Sequence, residues 1–322
     1  MIWVTASILM FLAFPPLLAR LRGGYPPNPG PDFAALAPLA VVPAVLAVLS
    51  AAFAAWWLAV AFAVPAALLV TWQLPPLRRP RRRARGGTGS AAATVRLRVF
   101  TLNVKHGRAD PAAVVRILQQ NDVDVFAVQE LTAPMASQLA AAGLTQLLPF
   151  SHLDPGPRAR GTGLWARWPL TPLPPVPETT RAAPRAYINP PDGFPVVLTV
   201  VHPVSPIAGR AGIWRRDLAM IRQALAAVDE PHVVAGDFNA SRDHKPFRDL
   251  LAAGFSDCAD YSRNWSWPGF TWPPRSVMRL DHVLVSRPAI VPMARTVQVP
   301  GTDHRGVLVD IEFTRGRSGP AQ

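Results

Sequence analysis

Forty consecutive residues, 33–72, carry no charged side chain. One helix of that length would be about 60 Å long, roughly twice the hydrocarbon core of a bilayer. The run therefore reads as two membrane spans, about residues 34–51 and 55–73, with a tight hairpin near residues 50–55. The competing reading is the buried core of a soluble domain. It is disfavoured because a surface helix keeps a polar face and this run has none. Residues 2–19 are apolar apart from Thr5 and Ser7 and close on Arg20 and Arg22, just enough for a further span. No basic segment precedes them and no small-x-small cleavage site follows, so they read as an anchor and not as a removable signal.

Charge decides the expected orientation. Residues 1–94 hold eight arginines against one acid, Asp32, a net of +7 out of the chain's formal +13. Six of these arginines fall within residues 78–85, directly after the last apolar run. Positively charged flanks stay cytoplasmic. With three spans, Arg20 and Arg22 lie on the same side as this cluster; with two spans the clusters would conflict. The expectation is a multi-pass cell-membrane protein, N-terminus outside, with everything after the third span in the cytoplasm. The arginine run is suited to fixing topology and touching anionic headgroups. Residues 74–94 are an Arg/Pro/Gly-rich linker ending in the flexible GGTGSAAA. Cys258 is the only cysteine, which excludes an intrachain disulfide and a cysteine-based zinc site.

From residue 95 to about 314 the texture changes to short apolar strands alternating with helices, and residues 315–322 read as a tail. The run at 95–103 alternates and ends in Asn103. Asp110-Pro111 is a helix start, an acid at the cap and proline at the first position. Residues 124–130 (DVFAVQE) are apolar until they deliver Gln129 and Glu130. A strand is expected at 161–168, and the proline-rich residues 169–184 are expected to be loop. The strand at 195–202 terminates in His202. Trp214, Leu218, Ile221, Leu225 and Val228 mark an amphipathic helix. The next strand (VVAGDFN) ends in Gly236, Asp237, Phe238 and Asn239; if the chain stays extended there, Asp237 and Asn239 share a face. A helix is expected at 245–253. Tyr261, Trp265, Trp267, Phe270 and Trp272 crowd one loop, as packing or as a stacking platform. Asp281 opens another strand, and Asp303-His304 precede the last, at 307–313.

Five strand ends thus present Asn103, Glu130, His202, Asp237 with Asn239, and Asp303 with His304, where periodicity asks for nothing polar. Phosphoester hydrolysis suits this set, because it needs a hard cation on carboxylate oxygen, a polarised water and donors to the charge on phosphorus. Glu130 and Asp303 could hold Mg²⁺ or Mn²⁺. His304 could act as a general base or a phosphate donor if Asp281 fixes its tautomer. Asp237 would orient the nucleophile. Asn103, Asn239 and His202 would bind phosphate oxygens.

The segments TLNVKHG, DVFAVQEL, VVLTVVHPVSP, VVAGDFNAS, RLDHVLVS and GTDHRGVLV, in this order, resemble the endonuclease/exonuclease/phosphatase superfamily, whose members are similar to deoxyribonuclease I. The N-terminal spans resemble a bacterial membrane-anchored branch of it. The resemblance implies an α/β protein with a four-layer α/β/β/α sandwich and its site at one edge. It implies Glu130 as principal metal ligand with Asn103 beside it and Asp303 near the metal. It places Asp237 and Asn239 at the nucleophile and phosphate, His304 oriented by Asp281, and His202 on phosphate. Two departures stand out. Thr302 replaces the usual Ser before Asp-His, and Lys105 stands where some nucleases carry an acid, against a second metal.

The expected function is a membrane-anchored, metal-dependent phosphodiesterase acting on nucleic acid, on a lipid or on a small phosphodiester. The alternative is a membrane-tethered binding module of the same fold without catalysis. Its signature, loss of metal or histidine positions, is missing.

Overall fold

A computed structural model describes residues 2–22, 30–54, 56–73, 93–191, 193–207, 209–258, 265–269 and 276–315. The expected linker up to residue 92, its arginine run, Tyr261, Phe270, Trp272 and the tail from residue 316 lie outside the described residues. The chain divides into two units: Met1–Pro80 with Ser205–Arg215 and Ala240–Asp249, and Arg81–Val204 with Arg216–Asn239 and Leu250–Gln322.

The first unit is helical. It contains α1 (Ile2–Leu21), the short α2 (Gly30–Ala35), α3 (Ala37–Ala54) and α4 (Trp56–Gln73). Small residues line the helix contacts: Ala13, Ala40, Ala44, Ala47 and Ala66 are buried together with Met10, Leu17 and Leu69. The large side chains point the other way, with Phe11, Phe53 and Trp56 all more than 70% exposed. Small residues are thus frequent at the helix contacts, and several of the largest apolar side chains lie on the exposed face. Among the described residues, α1 and α4 are long and apolar enough to cross a membrane; the apolar run of α3, Ala37–Phe53, is shorter.

One end of this unit is polar. The Arg20 guanidinium, at the end of α1, pairs with the Asp243 carboxylate and sits 4.4 Å from the centre of the Trp72 ring. Gln73 Nε2 donates to Asp243 Oδ1 at 3.5 Å, and His244 Nε2 donates to the Pro31 carbonyl at 2.8 Å. Burial drives the His244 pKa down to about 4, so the ring is neutral and carries one N–H. Arg20 and Asp243 are both buried. Removing one member of such a pair strands the other charge, at a cost of about 3–5 kcal/mol. Arg20→Ala is therefore expected to lower the thermal midpoint of the detergent-solubilised chain sharply. The double variant Arg20→Leu/Asp243→Leu should recover much of that loss.

The second unit is a β-sandwich. In chain order it holds β1 (Ala93–Asn103), α5 (Pro111–Gln120), β2 (Val125–Gln129), α6 (Ala133–Ala141), α7 (Leu144–Leu147), β3 (Phe150–Asp154), β4 (Thr162–Ala166), β5 (Leu170–Leu173), β6 (Arg185–Ile188) and β7 (Val196–Val201). There follow α8 (Ala211–Ala226), β8 (His232–Asp237), α9 (Lys245–Ala252), β9 (Phe255–Asp257), β10 (Asp281–Ser286), β11 (Ile290–Val297) and β12 (Gly306–Arg315). Helices α8 and α9 begin in segments grouped with the first unit. One sheet has the order β11-β12-β1-β2-β4-β3, the other β5-β6-β7-β8-β10-β9.

Strand alternation builds the layers. Val95, Leu97 and Val99 of β1 join residues of both sheets in the core between them. Phe100 and Leu102, on the opposite face, pack with Val114 and Leu118 of α5 and Met135 and Leu139 of α6. Asp110 caps α5, accepting from the Ala112 and Ala113 N–H groups, as its sequence signature implied. Where the prolines suggested loop, β5 forms a strand. It lies at the edge of its sheet, where Pro172 needs no partner for a missing N–H.

Each sheet has one parallel pair, β1 with β2 and β7 with β8. Asn103 faces Gln129 across the first pair and Val201 faces Gly236 across the second, so both pairs end at matching positions. β10 runs antiparallel to β8, with Asp281 opposite Asp237, and β12 starts beside the end of β1, with Val307 opposite Thr101. The strand ends that carry Asn103, Glu130, His202, Asp237 and Asp281 therefore emerge at one edge of the sandwich. Gly236 is fixed by this packing. Its φ is +154°, and a Cβ there would stand 2.0 Å from the Val201 carbonyl oxygen.

Candidate active site

At the end of β1, Asn103 Nδ2 donates to Glu130 Oε1 at 3.2 Å and to Asp237 Oδ2 at 3.0 Å. One carboxamide thus joins carboxylates from both sheets. Its Oδ1 accepts the Lys105 N–H at 2.9 Å. Behind it, Thr302 Oγ1 donates to the Asn103 carbonyl at 2.7 Å and accepts the His304 N–H at 3.1 Å. A hydroxyl is all this tie requires, so threonine serves in place of serine.

Asp281 Oδ2 accepts from His304 Nδ1 at 2.8 Å, and His304 Nε2 points toward Asp237, 3.9 Å from its Oδ2. Ser266 Oγ accepts the Leu280 and Asp281 N–H groups, each at 3.1 Å, and so fixes the start of β10. Burial would lower the His304 pKa, but the hydrogen bond and charge of Asp281, with Asp237 and Asp303, together raise it to about 10. These carboxylates favour the imidazolium form of the ring. The Asp237 pKa is raised as well: burial and the neighbouring Asp281 lift it well above the ordinary carboxylate value. Among the described residues, Asp281 Oδ1 is buried with no hydrogen-bond partner.

His202 is buried at the end of β7, its Nε2 3.8 Å from Glu130 Oε1 and 3.7 Å from Asp237 Oδ2. An Arg181 guanidinium nitrogen lies 2.9 and 2.6 Å from the two ring nitrogens. Burial and the Arg181 charge hold the His202 pKa well below its usual value, so this histidine is neutral while His304 is charged. Asp217, also buried, accepts from the N–H and the hydroxyl of Thr180 at 3.0 and 2.9 Å. That anchors the turn from which Arg181 projects.

The chain does not stay extended past Asp237. The strand stops there, Asn239 takes φ +47°, and its N–H donates to Asp237 Oδ1 at 2.8 Å. Its side chain donates to the Pro203 carbonyl at 3.1 Å, beside His202. The face shared by Asp237 and Asn239 is thus a turn, not a strand. Asp303 pairs with Lys105 Nζ at 3.2 Å, so its carboxylate is already partly neutralised.

Asp237, Asp281 and His304 have ligand atoms within 4.8 Å of one another. This trio could hold a metal ion, and the His304–Asp281 hydrogen bond also suits it to an acid–base relay. The Glu130 carboxylate at the same edge is an oxygen ligand of the kind a hard divalent cation takes. Asn103 joins it through oxygen only if its carboxamide turns over, because Oδ1 here belongs to Lys105. The structure brings the expected Asn103, Glu130, His202, Asp237, Asp281 and His304 together and adds Arg181, Asp217, Ser266 and His106, which sequence reading did not single out. Only His106 carried a signal, lying three residues after Asn103.

The sequence pattern of the Endonuclease/Exonuclease/phosphatase family matches residues 100–304. Similar solved structures include an endonuclease/exonuclease/phosphatase family protein from Bacteroides thetaiotaomicron, 17% identical with a TM-score of 0.54, covering 68% of this chain and 98% of that one. D. rerio TDP2 complexed with single strand DNA product is 18% identical with a TM-score of 0.55, covering 67% and 98%. The mannosyl-6-phosphatase of Bacteroides thetaiotaomicron is 17% identical with a TM-score of 0.52, covering 67% and 100%. At such identities the likeness establishes the fold. No curated protein matches the chain.

Proposed function

The chain belongs to the Endonuclease/Exonuclease/phosphatase family, and we propose that it is a membrane-anchored, divalent-metal-dependent hydrolase of phosphodiesters. One observation carries the reading: the charged His304–Asp281 pair faces the pKa-raised Asp237, beside Glu130 and Asn103. A base with a pKa lifted toward neutrality and a fixed cationic donor are what attack of water on a phosphoryl group requires.

Asp237 takes the proton of the attacking water, its Oδ1 held by the Asn239 N–H. His304 donates through Nε2 to the charge that grows on the phosphoryl oxygens, and Asp281 holds the ring in place through Nδ1. Of the two roles open to His304 from sequence, its charge favours the donor. Neutral His202, with Asn103 and Asn239, supplies further donors to phosphate oxygen. Mg²⁺ or Mn²⁺ at Glu130 would polarise the phosphoryl group and offset the negative charge that accumulates there.

The helical unit supports the anchor. Residues at the end of α1, just before α3 and at the end of α4 all bond to residues 243–244. Those ends therefore share one side, which supports the reading of three spans with the basic flanks on the cytoplasmic side. The test of substrate class uses the full chain in detergent, with Mg²⁺ or Mn²⁺, on plasmid DNA, RNA, phospholipid and bis(4-nitrophenyl) phosphate. Nucleic-acid turnover that falls steeply with salt identifies a nuclease; salt-insensitive turnover of the lipid or small ester identifies the other arm. No turnover on the panel by folded, metal-loaded protein contradicts the reading.

A further inference from the structure

Lys105, His106 and Gly107 take φ values of +46°, +55° and +73° in succession, and Glu130, which they face, takes +60°. Left-handed backbone at a residue with a side chain costs free energy and persists where the surrounding structure enforces it. Gly107 is held by close packing, since a Cβ there would meet the Thr132 hydroxyl at 2.4 Å. The turn brings His106 back onto Glu130. Its N–H donates to Glu130 Oε2 at 2.7 Å, and its ring Nε2 stands 3.2 Å from the same oxygen. The His106 side chain is 45% exposed while that of Glu130 is 13% exposed, so the contact is not a by-product of core packing.

Two ligand atoms at adjacent positions of an octahedral ion with bonds of about 2.1 Å stand about 3.0 Å apart. The 3.2 Å between His106 Nε2 and Glu130 Oε2 is close to that spacing. The other acid expected at the metal, Asp303, is engaged by Lys105, and the Asn103 oxygen by the Lys105 N–H. The same turn thus occupies two of the oxygen ligands expected from sequence and presents a nitrogen to the third. We propose that His106 is a nitrogen ligand to the divalent cation at Glu130. The inference rests on the metal-dependent reading above.

The test is pulsed electron paramagnetic resonance on the full chain in detergent, loaded with Mn²⁺ alone, with wild type, His106→Asn and Glu130→Gln compared. Asparagine tolerates the left-handed backbone, so the turn is kept while the imidazole is removed. The expected result is a directly coordinated ¹⁴N coupling in wild type that disappears in His106→Asn. Mn²⁺ should still bind that variant, at least about tenfold more weakly, and Glu130→Gln should abolish binding. Mn²⁺ bound through Glu130 without nitrogen coupling, or coupling that survives His106→Asn, overturns the role of His106 and leaves the metal reading standing. Wild-type protein that binds no Mn²⁺ overturns both.

Discussion

Asp237→Asn is expected to lower turnover by roughly 10²–10⁴-fold, the contribution of a positioned general base, with little change in substrate affinity. The substitution keeps shape and one carbonyl oxygen, enough for one of the two donors, since Asn103 reaches Oδ2 and the Asn239 N–H reaches Oδ1, and it cannot take a proton from water. Stability should move the other way. Asp237 is buried beside Asp281, and burial together with that like charge raises its pKa; a neutral amide removes both penalties. The thermal midpoint of Asp237→Asn should equal or exceed that of wild type. A variant both inactive and markedly less stable would mean that Asp237 is a structural carboxylate.

Asp281→Asn is expected to produce a loss of similar size by another route. Asp281 holds His304 through Nδ1 at 2.8 Å and is the main source of the positive shift that keeps the ring charged. An asparagine leaves the ring free to turn and to lose its proton near neutrality. The donor to the phosphoryl oxygens is then absent, an effect of about 10²–10³-fold for one preorganised donor. Because the two residues act as a unit, adding Asp281→Asn to His304→Gln should cost almost nothing further. Multiplicative losses in the double variant would show that they act separately.

What was legible in the sequence follows from these pairings. Buried strands accept apolar residues on both faces, so Asn103, Glu130, His202 and Asp237 stood out as interruptions at the ends of β1, β2, β7 and β8. Their convergence needed only the parallel pairs to end level. Residues whose roles depend on loop geometry were less legible. Arg181 lies in a proline-rich stretch without period, and its position depends on an Asp217 anchor 36 residues away. The approach of His106 to Glu130 depends on three consecutive left-handed residues, which no pattern announces. The extended reading of Asp237 to Asn239 missed a turn closed by the Asp237 side chain itself. β5 was hidden by Pro172, acceptable only because the strand is an edge.

The most direct measurement is hydrolysis of bis(4-nitrophenyl) phosphate by the full chain in detergent, before and after chelation and after Mn²⁺ or Mg²⁺ is restored, with Glu130→Gln in parallel. Turnover that vanishes on chelation, returns with metal and is lost in Glu130→Gln is the predicted result. Turnover that persists without metal, or that Glu130→Gln leaves intact, would contradict a metal-dependent site at this edge of the sandwich.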